Sequence, residues 1–74
     1  AIYVAYTNSN KEIKVKSKKN IVIATTKNNG LNIGDEVLEI NGKEIENIEE
    51  IRNIIQNSAV NKKLLFKVLR RYTS

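Results

Sequence analysis

Hydrophobic and polar positions alternate with period two through Glu12-Ile13-Lys14-Val15-Lys16, which sets Ile13 and Val15 on one face and Lys14 and Lys16 on the other. This is the pattern of an antiparallel strand with one wet side. Residues 1–7 (AIYVAYT) are apolar and β-prone, and they stop at the turn-forming Asn8-Ser9-Asn10, so they predict a strand before it. After a turn at Lys18-Lys19-Asn20, residues 21–26 (IVIATT) predict a third strand, buried on both faces, that ends at Lys27-Asn28-Asn29-Gly30. These three strands are expected to form one sheet.

The second half of the chain carries stronger local signals. Glu36-Val37-Leu38-Glu39-Ile40 alternates as a strand and leads into Asn41-Gly42, the strongest short hairpin signal, because both central residues of that tight turn need positive φ. Residues 43–45 return as its partner. Ile48, Ile51, Ile54 and Ile55 then recur at helical spacing, with Glu49, Glu50 and Asn53 between them. Asn47 is placed to cap this helix and Glu50, three residues on, to complete a capping box. The helix is expected over residues 48–57, and residues 63–71 (KLLFKVLRR) predict the last strand.

Composition narrows the class. With 74 residues the chain is one small domain, burying roughly 60% of its unfolded surface. Ile and Val supply 17 residues, and that β-branched weight favours sheet over helix. There is no Cys and no His, which excludes zinc fingers, thiol nucleophiles, redox pairs and a Ser-His-Asp triad within this chain. There is also no Met, so the sequence reads as a processed product or a domain (1–74) cut from a longer protein. The run Ile21-Val22-Ile23-Ala24 falls far short of the roughly 20 residues of a membrane span, and a soluble domain is expected.

The net charge of +5 is unevenly spread. Residues 1–34 hold six Lys and one Glu, residues 35–50 hold seven acids and Lys43, and residues 51–74 hold six Lys or Arg and no acid. A basic domain can bind nucleic acid or an anionic membrane surface, but the acidic middle has to fold away from any such face. Asn and Ile occur 11 times each and Lys 10 times, a joint excess that fits an A- and T-rich source gene and inflates Lys without a partner.

From Gly30 to Arg70 the order Gly30-Leu31, Gly34-Asp35, Val37-Leu38, Ile40-Asn41-Gly42, Ile45, a helix over 48–57, then Phe66, Val68 and Arg70 resembles the second half of a PDZ domain. It is similar in particular to the bacterial type found in secreted or membrane-bound proteases. The resemblance implies an α+β fold, a small, partly open β-barrel or sandwich of five to six strands capped by one main α-helix. It implies a non-catalytic, monomeric module that needs no cofactor and binds the extended C-terminus of a peptide or protein, or a neighbouring domain of its own polypeptide. It also favours the cell envelope, on the extracytoplasmic side. Such a peptide adds as a strand between a sheet edge and the long helix.

Carried over by position, Ile48, Arg52 and Ile55 would face the groove, while Ile51 and Ile54 would point into the core. Ile48 stands where the family often has a polar residue, which implies an apolar preference, and Arg52 would attract an acidic side chain. The family holds the peptide carboxylate in a glycine-containing loop, whereas residues 1–29 here contain no glycine. The positions left for that task are the start of the chain, including Ile2, Tyr3 and Val4, and the turn Asn8-Ser9-Asn10.

Two other classes compete. A nucleic-acid-binding domain would use Lys14, Lys16, Lys18 and Lys19 for phosphates and Tyr3, Tyr6, Phe66 and Tyr72 for stacking. Phe66 sits on the apolar face of its strand, however, and no fingerprint of such a domain is present. An enzyme is the weakest reading: Ser17 and Lys18 are adjacent strand residues that point to opposite faces, and Asp35, Glu39 and Glu44 fit no calcium-loop spacing.

Overall fold

The Asn41-Gly42 turn forms as the sequence predicts, with φ of 51° and 82° at its two residues. A computed structural model of the chain describes residues 1–8, 14–16, 20–24 and 30–70. Its elements in order are β1 (Ile2–Thr7), β2 (Lys14–Lys16), β3 (Ile21–Ala24), β4 (Glu36–Ile40), β5 (Lys43–Glu44), α1 (Ile48–Asn57) and β6 (Lys63–Leu69). The outer parts of the second, third and last predicted strands, at residues 12–13, 25–26 and 71, lie outside the described residues.

All strand pairs are antiparallel, and the sheet runs β1-β6-β4-β3-β2 with β5 pairing β4 as a short hairpin arm. Among the described residues it is open, with β1 and β2 as its two ends, and it carries one helix. This is the α+β architecture of a small PDZ-like fold. The first three strands do share a sheet, but β1 is not beside the other two. It pairs along its whole length with β6, from Ile2 opposite Val68 to Thr7 opposite Lys63.

Alternation along β6 explains the core. Leu64, Phe66 and Val68 point inward and are buried, while Leu65 points out. Val4 and Tyr6 meet them from β1, Val37 and Ile40 from β4, and Ile51 and Ile55 from α1. Val37 and Ile40 are three residues apart, which strict alternation forbids. The register shift between Val37 and Glu39 against β6 accounts for it, because the extra residue lets both side chains face inward. β3 departs from the expectation of a strand buried on both faces. Val22 is buried, but Ile23 is 43% exposed, since no element covers that face of the sheet there among the described residues.

The Tyr6 ring packs on Phe66 with centroids 4.9 Å apart and planes tilted by 38°. Among the described residues the buried Tyr6 hydroxyl has no hydrogen-bond partner, and burial pushes its pKa up from the ordinary tyrosine value. An unanswered buried hydroxyl costs more than it contributes. Tyr6→Phe is therefore expected to stabilise the domain by about 1 kcal/mol, read as a higher urea midpoint. A variant less stable than the parent would show that the hydroxyl has a partner in solution.

Candidate functional site

The helix is held at both ends by asparagines. Asn47, extended at φ −153° and ψ 168°, accepts the Glu50 amide proton on its side chain at 3.2 Å. Glu50 reaches back as a capping box requires, but its Oε2 accepts from the Glu46 amide, one residue before the cap, at 2.7 Å. At the other end Asn8, fully buried just after β1, donates its side-chain amide to the carbonyls of Ile55, Ser58 and Ala59 at 3.2, 3.0 and 3.1 Å. The last carbonyls of a helix lack partners within it. Asn8 answers this need, and it ties the helix to the strand pair β1-β6, where its own amide donates to Lys62 O at 2.8 Å.

The loop into β4 is fixed by one charged cluster. Asp35 is 1% exposed, and its carboxylate accepts from Arg70 Nε at 2.8 Å and from Arg70 Nη2 at 2.6 Å, a two-point pairing. Asn32 donates its amide to the same carboxylate at 2.8 Å, and Arg70 Nη2 also donates to Gly30 O at 3.0 Å. Burial alone would raise the Asp35 pKa. The Arg70 hydrogen bonds, the Asn32 amide and the Arg70 charge outweigh it and hold the carboxyl below its ordinary value.

This cluster joins the Gly34-Asp35 turn to the residue after the last strand, across 35 positions of sequence. The PDZ domain family model matches residues 28–70, through this arginine. The chain belongs to the PDZ family. Comparisons with curated proteins and with solved structures return no match. Membership makes this PDZ domain a peptide- or protein-binding module, in a family whose members are typically non-catalytic. No helix among the described residues is long and apolar enough to cross a membrane.

Within this PDZ domain the expected site residues fall into two groups. On α1, Ile48 is half-buried, Arg52 is exposed, and Ile55 is 4% exposed and belongs to the core, although a groove-facing position was expected for it. Ile51 is buried, and Ile54 packs partly buried against the core. Arg52 pairs with Glu49 at 3.1 Å, an exposed pair of one helix turn. On β1, Ile2 packs partly buried against the core, Val4 is buried in it, and Tyr3 is 63% exposed with Lys67 Nζ 6.0 Å from its ring centre. β1 and β2 lie at opposite ends of the sheet, so the β1 residues are not brought beside β2.

Of the carboxylate-loop positions, residues 1–4 run into the paired strand β1, and Ser9 and Asn10 lie outside the described residues. Lys18, Lys19, Ser17 and Tyr72 also lie outside them. Tyr6 and Phe66, considered for base stacking, are both fully buried against each other and have no free ring face to offer a base. Among the described residues no group of three or more His, Cys, Asp or Glu side chains could hold a metal ion.

Proposed function

We propose that this domain binds an extended peptide C-terminus along β2, under the wall made by α1. The observation that carries the reading is the sheet order. β2 pairs with β3 alone and ends the sheet, so among the described residues its outer edge has backbone donors and acceptors free to take another strand. β3, next to it, sends Val22 into the one core cluster that also takes Ile51 and Ile55 of the helix.

In this arrangement main-chain bonds to β2 supply affinity, and α1 supplies selection. Ile48, at the start of the helix, offers apolar surface to one peptide side chain. Arg52, one turn on, meets the next with a positive charge shared with Glu49, and Ile55 backs the groove from the core. This reading does not use Ile2, Tyr3 and Val4, which lie on β1 at the other end of the strand order. The likeness of residues 30–70 to the protease-associated form of the family supports a role in presenting or regulating a substrate for a larger protein.

The test is selection from a library of random peptides with free C-termini. Enrichment of one C-terminal motif with an apolar residue is the expected outcome, and Ile48→Lys is expected to weaken the selected peptide by about tenfold or more, the loss of one buried apolar contact. A selection that yields internal motifs only, or an Ile48→Lys variant that binds equally well, would contradict the reading.

A further inference from the structure

Three of the five large apolar side chains left exposed among the described residues, Tyr3, Val60 and Leu65, stand on the β1–β6 pair or on the turn that leads into it. The core takes Val4 and Tyr6 from β1 and Leu64, Phe66 and Val68 from β6, so the residues between them form the opposite face of the sheet. On that face the register sets Tyr3 beside Lys67, Ala5 beside Leu65 and Thr7 beside Lys63. Apolar and cationic side chains interleave there in a double row, and the Lys67 ammonium lies 6.0 Å from the Tyr3 ring centre.

The charge of this surface has one sign. β1, β6 and the turn between α1 and β6 contain no acid. The acids at its border are on β4: Glu39 is bonded to Lys67 at 3.4 Å, and Glu36 stands across from Leu69 at the far end of β6. Lys62 and Lys63 form no ion pair among the described residues.

The turn before β6 is firmly held. Lys62 donates its amide to Ala59 O at 3.1 Å, and Asn8 takes Ala59 O, the Asn61 amide and Lys62 O. Asn61 adopts the positive φ of 69° that closes it. These bonds draw the backbone inward, yet Val60 in the turn is 54% exposed and has no place in the core cluster.

An exposed apolar surface bordered by polar groups marks an interaction site. Its composition selects the occupant. Protein interfaces are poor in Lys and rich in Arg, whereas this surface holds Lys62, Lys63 and Lys67 and no Arg. Single-stranded nucleic acid stacks its bases on a series of rings, and Tyr3 is the one exposed ring here, since Tyr6 and Phe66 are buried. An anionic lipid surface answers both features at once. Tyr settles at the headgroup level, Leu and Val enter the acyl boundary, and Lys lays its stem along apolar surface while its ammonium reaches phosphate.

We propose that the outer face of the β1–β6 pair, together with the Val60 turn, docks on an anionic lipid membrane. None of its residues belongs to β2 or α1, so a bound peptide and the membrane do not compete for the same side chains.

The test mixes the ¹⁵N-labelled domain with phosphatidylcholine bicelles that contain phosphatidylglycerol and a lipid with a nitroxide on its acyl chain. Broadening is expected at the amides of Tyr3, Ala5, Val60 and Leu65 and not along α1, and it should fade as salt is raised. Bicelles of phosphatidylcholine alone are expected to bind at least about tenfold more weakly. The same loss is expected for a Lys62→Gln/Lys63→Gln variant whose spectrum shows the fold intact, because both lysines serve the turn through the backbone. No broadening, broadening centred on α1, equal binding to neutral bicelles, or unchanged binding by the variant would overturn the proposal. A single-stranded oligonucleotide that shifts the same amides at lower concentration would overturn it in favour of nucleic acid.

Discussion

Asp35→Asn is expected to lower the unfolding free energy by about 3–5 kcal/mol, the cost of leaving one member of a buried ion pair without the other. Arg70 keeps only a small part of its side chain in water, and a neutral amide cannot balance its charge. A domain of this length has roughly 0.05–0.15 kcal/mol of stability per residue, so the variant should be marginally folded or unfolded. Urea titration followed by far-ultraviolet circular dichroism reads the difference. The pH dependence follows from the direction of the shift. The folded pKa of Asp35 lies below its unfolded value, so its contribution is complete above the unfolded value of about 3.9 and is lost as pH falls through the folded one. The parent should lose stability on acidification through that range, and Asp35→Asn should lose less. A loss near the few tenths of a kcal/mol typical of exposed pairs would show that the cluster is open to water.

Asn8→Asp should be comparably damaging and opposite in its response to acid. The substitution keeps the shape and turns an amide that donates to three carbonyls into a carboxylate that faces them. A buried, uncompensated charge of this kind costs about 3 kcal/mol or more. The folded pKa of the new carboxyl is therefore raised above its unfolded value, and the penalty is full at neutral pH and lifts as pH falls through the raised pKa, where the protonated acid can donate again. The variant should recover part of its melting temperature on mild acidification, where the parent does not gain. An Asn8→Asp protein as stable as the parent at neutral pH would remove Asn8 as the tie between β1 and the helix.

These two residues also show what the sequence could disclose. The β4 turn and α1 were legible because their signals are local: Asn41-Gly42 needs two positive φ values, and the isoleucines of 48–55 repeat at helical spacing. Asn8 was visible only as a turn former, since the three carbonyls it serves are some 50 positions away. Asp35 accepts from the Asn32 backbone amide three residues away, a local contact, but its pairing with Arg70 depends on β4 and β6 lying side by side. The same limit applies to the site. Spacing alone could set Ile48, Arg52 and Ile55 on one helix face, whereas the burial of Ile55 is decided by what the helix packs on. The position of β1 beside β6, and with it the separation of Ile2, Tyr3 and Val4 from β2, is a long-range pairing without a local mark.

The measurement that bears most directly on the peptide-binding account is a ¹H–¹⁵N titration of the domain with a pool of peptides carrying free C-termini, run beside the same peptides amidated. The account predicts shifts concentrated on residues 14–16 and along 48–55, present with free carboxylates and lost on amidation. Shifts centred on β1, or none with either pool, would contradict it and would point to a folded partner in place of a peptide end.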